Sequence, residues 1–442
     1  MKLRFLGAAE EVGRSGFLVE ANGSRFVLDY GIKFLRGEAD SFPAEVEAKP
    51  SEHELRKAKY PSHVEGKLDG VIVSHAHLDH SGAIPEIFKD HKAMVYMTPP
   101  TLEFCRLLWF DTIKIAEKEG TEPRFSKHDI SETTRYTIPL PFNKEIPLSK
   151  SCNINLFDAG HILGGALIKL SCGEKNLLYT GDFKTTKTRL FRGANTDVGK
   201  VDYLITESTY CYTEHPPREQ VEKDFVESVQ EVLDKGGTVL CPSFAIGRSQ
   251  ELVDLLVEYG IDAPIYLDGM GQKAAVISFN YPEHFRDFKS LKRSLEKCIW
   301  IKKKSMRKNA LKEPSVIVST AGMMSGGPVM HYMPFIYKNP NSAIFLTGYQ
   351  VEGTPGHTLL HTGKFPLEDK GIVDVKAQVR KFDFSAHVDR SDLIKAFKKW
   401  NPEKIFLVHG EKKLIPEFRD FIEKEHGFKA FIPKKDESIS LD

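Results

Sequence analysis

Apolar residues in the amino-terminal part of the chain come in short runs separated by turn residues: KLRFLGA, GFLVEA and RFVLDYG. Runs of this length read as strands. Asn22-Gly23 between the last two supplies the positive φ that both central positions of a tight hairpin require. ALIKLS and NLLYTGD, joined through Cys172-Gly173-Glu174-Lys175, predict a second hairpin. Between the hairpins lies GVIVSHAHLDHSGAIPEIF, where Val71-Ile72-Val73 ends a buried strand and a helical pattern begins after Ser81-Gly82. The His-rich stretch therefore falls in a strand-to-helix loop.

From about residue 208 helices and β-branched runs alternate: a helix over about 217–235, TVLCPS, a helix from Gly247 to Tyr259, then PIYLDG, SVIVST and AIFLTG. This alternation predicts an α/β unit with a parallel sheet covered by helices. Its strands run into Gly-rich loops, Gly322–Gly327 and Gly348–Gly356, and the carboxyl ends of such strands are where ligands bind. After Phe382 the chain returns to a strand in KIFLVHGE and a helix near 414–425. No low-complexity linker intervenes, so the second unit reads as an insertion: 1–207 and 381–442 form one domain, with 208–380 inserted into it.

Composition narrows the class. The 442 residues, 41% hydrophobic and 28% charged, are those of a folded globular chain larger than one core. The net charge of +1 lacks the overall basic excess of a nucleic-acid binder, but the average conceals ten Lys/Arg against two Glu between Lys289 and Glu313. Lys302, Lys303 and Lys304 are therefore candidates for tracking a phosphate backbone, with a solvated helix face as the alternative. There is no signal-peptide pattern at the start and no run of about 18 apolar residues, so a cytoplasmic protein without a membrane partner is expected. The six cysteines lie far apart without a C-x-x-C pair, which predicts reduced, buried thiols rather than disulfides.

His75-Ala76-His77-Leu78-Asp79-His80 places four metal-ligand side chains in six residues directly after a buried strand. Crowded imidazoles and a carboxylate need partners for their polar atoms, and a divalent ion such as zinc, manganese or iron supplies one. Further ligand types stand beside glycine at other strand ends: His161 in DAGH, Asp182 in YTGD and His409 in LVHG. Singly, each is also what a turn or cap uses. Together they point to a metal centre.

SHAHLDHSG, DAGHILGGA, YTGDF, ESTYC, FDFSAHVDR and FLVHGE resemble, in order, the metallo-β-lactamase motifs and the three additional motifs of the β-CASP nucleases. The likeness is to archaeal relatives of the nuclease subunit of the cleavage and polyadenylation specificity factor. It implies an αββα metallo-β-lactamase sandwich carrying an inserted β-CASP domain. It also implies one zinc ion held by His75, His77 and His161 and a second by Asp79, His80 and His409, with Asp182 bridging; manganese or iron are the other candidates. Glu207 and His387 would flank the metals, the His as general acid, although on sequence alone Glu207 equally suits a helix cap and His387 a surface position. Asp383 is a further candidate for the surrounding support.

His409 stands where the DNA-repair members have an apolar residue, so the resemblance implies RNA as the substrate. The expected activity is zinc-dependent endonucleolytic RNA processing with 5′-exonuclease activity as a second mode. An RNase J-like 5′–3′ exoribonuclease is the alternative on the same scaffold. A small-molecule metallo-hydrolase leaves the insertion and His387 without a role, and a nonhydrolytic RNA-binding subunit leaves the full ligand set without one. STAGMMSGGP and GYQVEGTPGH look like segments lining the nucleic-acid cleft, which makes Ser319, Gly322 and Gly353 candidate contacts; FAIGRSQELVDLL places Arg248 at a helix start, where a phosphate could meet it. A homodimer or an RNA-processing complex is the expected assembly.

Overall fold

Asn22 and Gly23 both take positive φ, 50° and 80°, and close the hairpin between Gly16–Ala21 and Ser24–Tyr30. Around it the computed structural model, which describes residues 1–33 and 59–441, builds three main sheets. In the first, Lys2–Phe5 pairs antiparallel with Gly16–Ala21, and Ser24–Tyr30 continues in parallel through Gly70–Ile72, Met94–Met97 and Thr137–Pro139. The second contains the hairpin Ala166–Cys172/Lys175–Tyr179, extended by Cys152–Asp158 on one side and by the parallel strands Tyr203–Glu207 and Lys404–Val408 on the other.

The inner faces of these sheets pack on each other: Phe5, Phe17, Val19 and Phe26 from the first meet Ile154, Ile168, Leu170, Tyr179 and Phe406 from the second. Alternate residues of each strand supply that core, as a period of two demands. Helices Ile84–His91 and Pro99–Glu119 cover the outer face of the first sheet, and Arg390–Trp400 and Ile415–His426 that of the second. This is the αββα sandwich expected. Ser438–Ser440 pairs with Lys2–Phe5, so the end of the chain closes the sheet that its start begins.

Pro99–Glu119 begins at a Thr98 side-chain cap with prolines in its first turn and stops at Gly120, which takes φ 68°. Its fully buried Trp109 donates from the indole to the Ser81 carbonyl at 2.9 Å, which fixes the far end of the His-rich loop.

The third sheet, ordered Ile299–Trp300, Ile265–Asp268, Ser315–Ser319, Thr238–Pro242, Ala343–Leu346 and Gln378–Lys381, is parallel at every junction. Its central strands are buried along their length between two apolar layers. That explains why their sequences are continuous apolar runs rather than alternating ones.

One expectation is overturned. Cys152 and Cys172 are joined by a disulfide, while Cys105, Cys211, Cys241 and Cys298 are free and buried. The two bonded residues are 20 apart in sequence but stand directly opposite one another on antiparallel strands, with Cα atoms 4.2 Å apart. Spacing along the chain does not reveal this; strand register does. Burial pushes the Cys105, Cys211 and Cys298 thiols up to about 12, so those three are the inert thiols expected.

Candidate metal centre

The loop after Gly70–Ile72 is held from both sides by backbone. Ser15 N–H donates to Asp79 O at 2.8 Å and Ile32 N–H to Leu78 O at 2.8 Å. Gly31 permits this approach: a Cβ there would lie 1.9 Å from Asp79 O. The short helix Leu78–Ser81 then turns Asp79 and His80 toward the carboxyl ends of the second sheet.

His75 Nε2 and His161 Nε2 each lie 3.1 Å from His77 Nδ1, and Asp182 Oδ2 is 3.5 Å from His75 Nε2 and 3.7 Å from His161 Nε2. The other ring nitrogens of His161 and His75 are engaged outward. His161 Nδ1–H donates to Ala386 O at 2.8 Å. His75 Nδ1 lies 3.0 Å from Ser74 Oγ, whose own proton goes to Asp29. Three imidazole lone pairs therefore converge on one point. Burial holds all three rings below their usual pKa and so in the neutral, ligand form.

On the other side of Asp182 lie His80, with Nε2 3.3 Å from Oδ1, and His409, with Nδ1 3.6 Å from the same oxygen. Asp79 Oδ2 accepts from His409 Nε2 at 3.2 Å; burial pushes this carboxyl up, but the His409 hydrogen bond and nearby imidazoles prevail and hold it at about 2. Asp79, His80 and His409 form a second group whose ligand atoms lie within 4.8 Å of one another. Asp182 thus turns Oδ2 to the first group and Oδ1 to the second, and Oδ1 is fully buried with no hydrogen-bond partner of its own. An orphaned carboxylate oxygen among converging nitrogens fits bound cations, and a set of His and Asp donors suits zinc.

His409 takes φ 50°, which turns its ring inward at the end of Lys404–Val408, and Gly410 follows where a Cβ would strike Ser208 O at 2.7 Å. Glu207, ending the adjacent strand, is fully buried; Oε1 accepts from Phe183 N–H at 2.8 Å and Oε2 from His387 Nδ1 at 2.9 Å. Burial lowers the His387 pKa, but Glu207 and Asp182 overcome it and lift the group to about 9. The His387 and His161 rings are 4.7 Å apart, so the Glu207–His387 pair borders the ligand cluster.

Asp29 is a buried residue beside this cluster that sequence reasoning did not single out. Fully buried in Ser24–Tyr30 at φ 54°, it accepts from Ser74 N–H, Ser74 Oγ, His80 Nδ1 and Tyr179 OH, all within 2.7 Å. An acid near the end of an apolar strand, two residues before a glycine in LDYG, was its signal.

Three family models match the chain: a metallo-beta-lactamase superfamily domain over residues 46–209, a Beta-Casp domain over 250–359, and a Zn-dependent metallo-hydrolase RNA specificity domain over 372–433. The chain is 38% identical to Probable RNase MJ4 of Methanocaldococcus jannaschii, with 100% of both chains covered. It is 34% identical to RNase aCSPSF2 of Saccharolobus solfataricus, over 99% of this chain and 85% of that one. The chain belongs to the metallo-β-lactamase/β-CASP family. Another relative is the transcription termination factor FttA of Thermococcus kodakarensis, 33% identical over 100% of this chain and 71% of that one. A crystal structure of a protein of unknown function from Enterococcus faecalis shares the fold, with a TM-score of 0.62, 14% identity and coverage of 100% of this chain and 99% of that one.

The candidate RNA contacts of this β-CASP chain are placed unevenly. Arg248 is 9% exposed; its guanidinium bonds Glu251 and the Phe384 carbonyl and lies over the Phe384 ring, so an internal partner occupies it where a phosphate was expected. Ser319 is fully buried. Gly322 and Gly348 make room for Phe244, since Cβ atoms there would meet it at 3.0 and 2.6 Å, and the Phe244 ring lies 6.5 Å from that of His77. Gly353 takes φ 86°. Lys302, Lys303 and Lys304 are exposed, whereas Arg293 and Arg307 of the same basic run pair with Glu258 and Asp268. Asp383 accepts from His215 Nδ1 at 2.8 Å. Among the described residues no helix is long and apolar enough to cross a membrane.

Proposed function

We propose that the chain is a metal-dependent ribonuclease that hydrolyses RNA phosphodiester bonds at a two-zinc centre, cutting within RNA chains and with 5′-exonuclease activity as a second mode. The observation that carries this reading is Asp182, whose two oxygens face two separate groups of His and Asp donors. His75, His77 and His161 would hold one ion and Asp79, His80 and His409 the other, with Asp182 between them. Zinc held there supplies Lewis acidity toward phosphate oxygens and an acidified water.

The chain's own groups complete the chemistry. Glu207 holds His387 by Nδ1 and favours the imidazolium, which donates its Nε2 proton to the leaving oxygen. Ala386 O orients His161, and Asp29 orients His80. In this reading residues 208–380 are the insertion that forms one wall of the RNA cleft. An RNA-processing assembly in the cytoplasm as the setting agrees with the relatives named as a ribonuclease and as a transcription termination factor.

Purified protein offered circular, 5′-monophosphate and 5′-triphosphate RNA tests it. The circle should be cut, and cutting should stop with a chelator and in Asp182→Ala and His77→Ala. Release of mononucleotides from the monophosphate RNA alone would replace the endonuclease by a 5′-exonuclease. No cutting of any of the three overturns the ribonuclease.

A further inference from the structure

Two exposed aromatic rings of this chain have local covers: Tyr259 lies under Arg189 and Phe431 stacks on Phe406. Tyr212, 42% exposed, is placed differently. It lies five residues after Glu207, and its ring stacks on Tyr210 with centroids 6.4 Å apart and planes 29° apart. Tyr210 is buried and reaches the proposed general acid, its ring 5.9 Å from that of His387. Tyr349, from the insertion, meets Tyr210 edge-on at 6.1 Å and donates its hydroxyl to Glu411 Oε1 at 2.8 Å, two residues beyond His409. Three separate chain segments, those following Glu207, Leu346 and His409, thus converge on one aromatic corner beside the ligand cluster.

The corner is built to hold still. His215 packs on Tyr210 at 4.8 Å and is itself tied to Asp383, so Tyr210 cannot swing away beneath Tyr212. The charges acting on the Tyr212 hydroxyl are the carboxylates of Glu411 and Asp383, which disfavours a phosphate there and leaves the ring face as the recognition element. A flat apolar face that rejects phosphate yet borders a phosphodiester-cleaving centre suits a base.

We propose that Tyr212, backed by Tyr210 and flanked by Tyr349, is a stacking platform for one nucleobase of single-stranded RNA close to the scissile phosphate. The proposal rests on the ribonuclease reading. Because every base has a π-face, such a platform holds the strand without selecting sequence, and a paired base inside a duplex cannot reach it.

The test uses the full chain with zinc and an unstructured RNA oligonucleotide. Tyr212→Ala should raise KM about 5- to 150-fold, the range set by stacking of one base on an aromatic ring, with kcat changed little. Tyr212→Trp should restore the parent KM. A single abasic nucleotide moved along the oligonucleotide should weaken the parent by a similar factor at one position, and Tyr212→Ala should lose nothing more at that position. An unchanged KM in Tyr212→Ala, or losses that add at every abasic position, overturns the platform while the parent's cutting of the unmodified RNA upholds the ribonuclease. A parent that cuts no RNA removes both.

Discussion

The Asp29 carboxylate accepts the Nδ1 proton of His80 at 2.7 Å and thereby leaves His80 Nε2 directed at Asp182. One carboxylate from the first sheet thus sets the tautomer of a candidate ligand that faces Asp182, beyond a strand of the second. Asp29→Asn keeps the backbone, because Asn tolerates positive φ, but removes the charge. Zinc affinity, read by competition with a chromophoric chelator, should fall about 10- to 100-fold. An affinity equal to the parent's would show that His80 is oriented by other contacts.

His387 gives the rate a pH dependence of defined sign. Its pKa is raised, so the imidazolium persists through neutrality and cleavage should decline as pH rises through the folded-state value. That value is about 9 with the carboxylates alone, and bound cations lower it, so the alkaline limb should fall at or below about pH 9. His387→Ala should cut about 10²- to 10⁴-fold more slowly, lose that limb and keep its metal content. Loss of zinc in the variant would instead make His387 a ligand.

Arg248 separates packing from RNA contact. With Arg218 it closes on Glu251, and both guanidiniums lie over Phe384, three residues before His387. Arg248→Met leaves Phe384 O without that donor and Glu251 with one cation fewer, a loss of roughly 3–5 kcal/mol of stability for a buried pair. A lower unfolding midpoint with RNA affinity unchanged below it is expected. Weaker RNA binding at parent stability would assign the guanidinium to a phosphate.

The Cys152–Cys172 disulfide predicts four thiols titratable in denaturant and six after reduction. In the chain-entropy description a loop of this length contributes about 3 kcal/mol, so Cys152→Ser should lower the unfolding free energy by about that amount. Six thiols before reduction would remove the bond.

Lys302, Lys303 and Lys304 are three consecutive exposed cations of the basic run. Replacing all three by Glu should reduce the slope of log affinity against log salt by about 2, since each single-strand phosphate contact contributes about 0.7. An unchanged slope makes the run an ordinary solvated surface.

Much of this structure was legible because its elements carry local signals. Asn22-Gly23 marked a hairpin, continuous apolar runs marked the parallel sheet, and His75 to His80 announced ligands without help from the fold. The helix Pro99–Glu119 escaped notice because its apolar residues spread around its circumference instead of forming one stripe. Asp29, the cysteine pair and the fate of Arg248 were hidden for a common reason. Each depends on what lies opposite in space, and register and interdomain contact are not written in spacing along one chain.

His409 Nε2 lies 3.2 Å from Asp79 Oδ2 across 330 residues of sequence. A ribosome making this protein releases the first ligands long before the last one exists. On the proposed reading, the growing chain carries an incomplete centre past its own messenger and becomes competent to cut RNA only once His409 has been made.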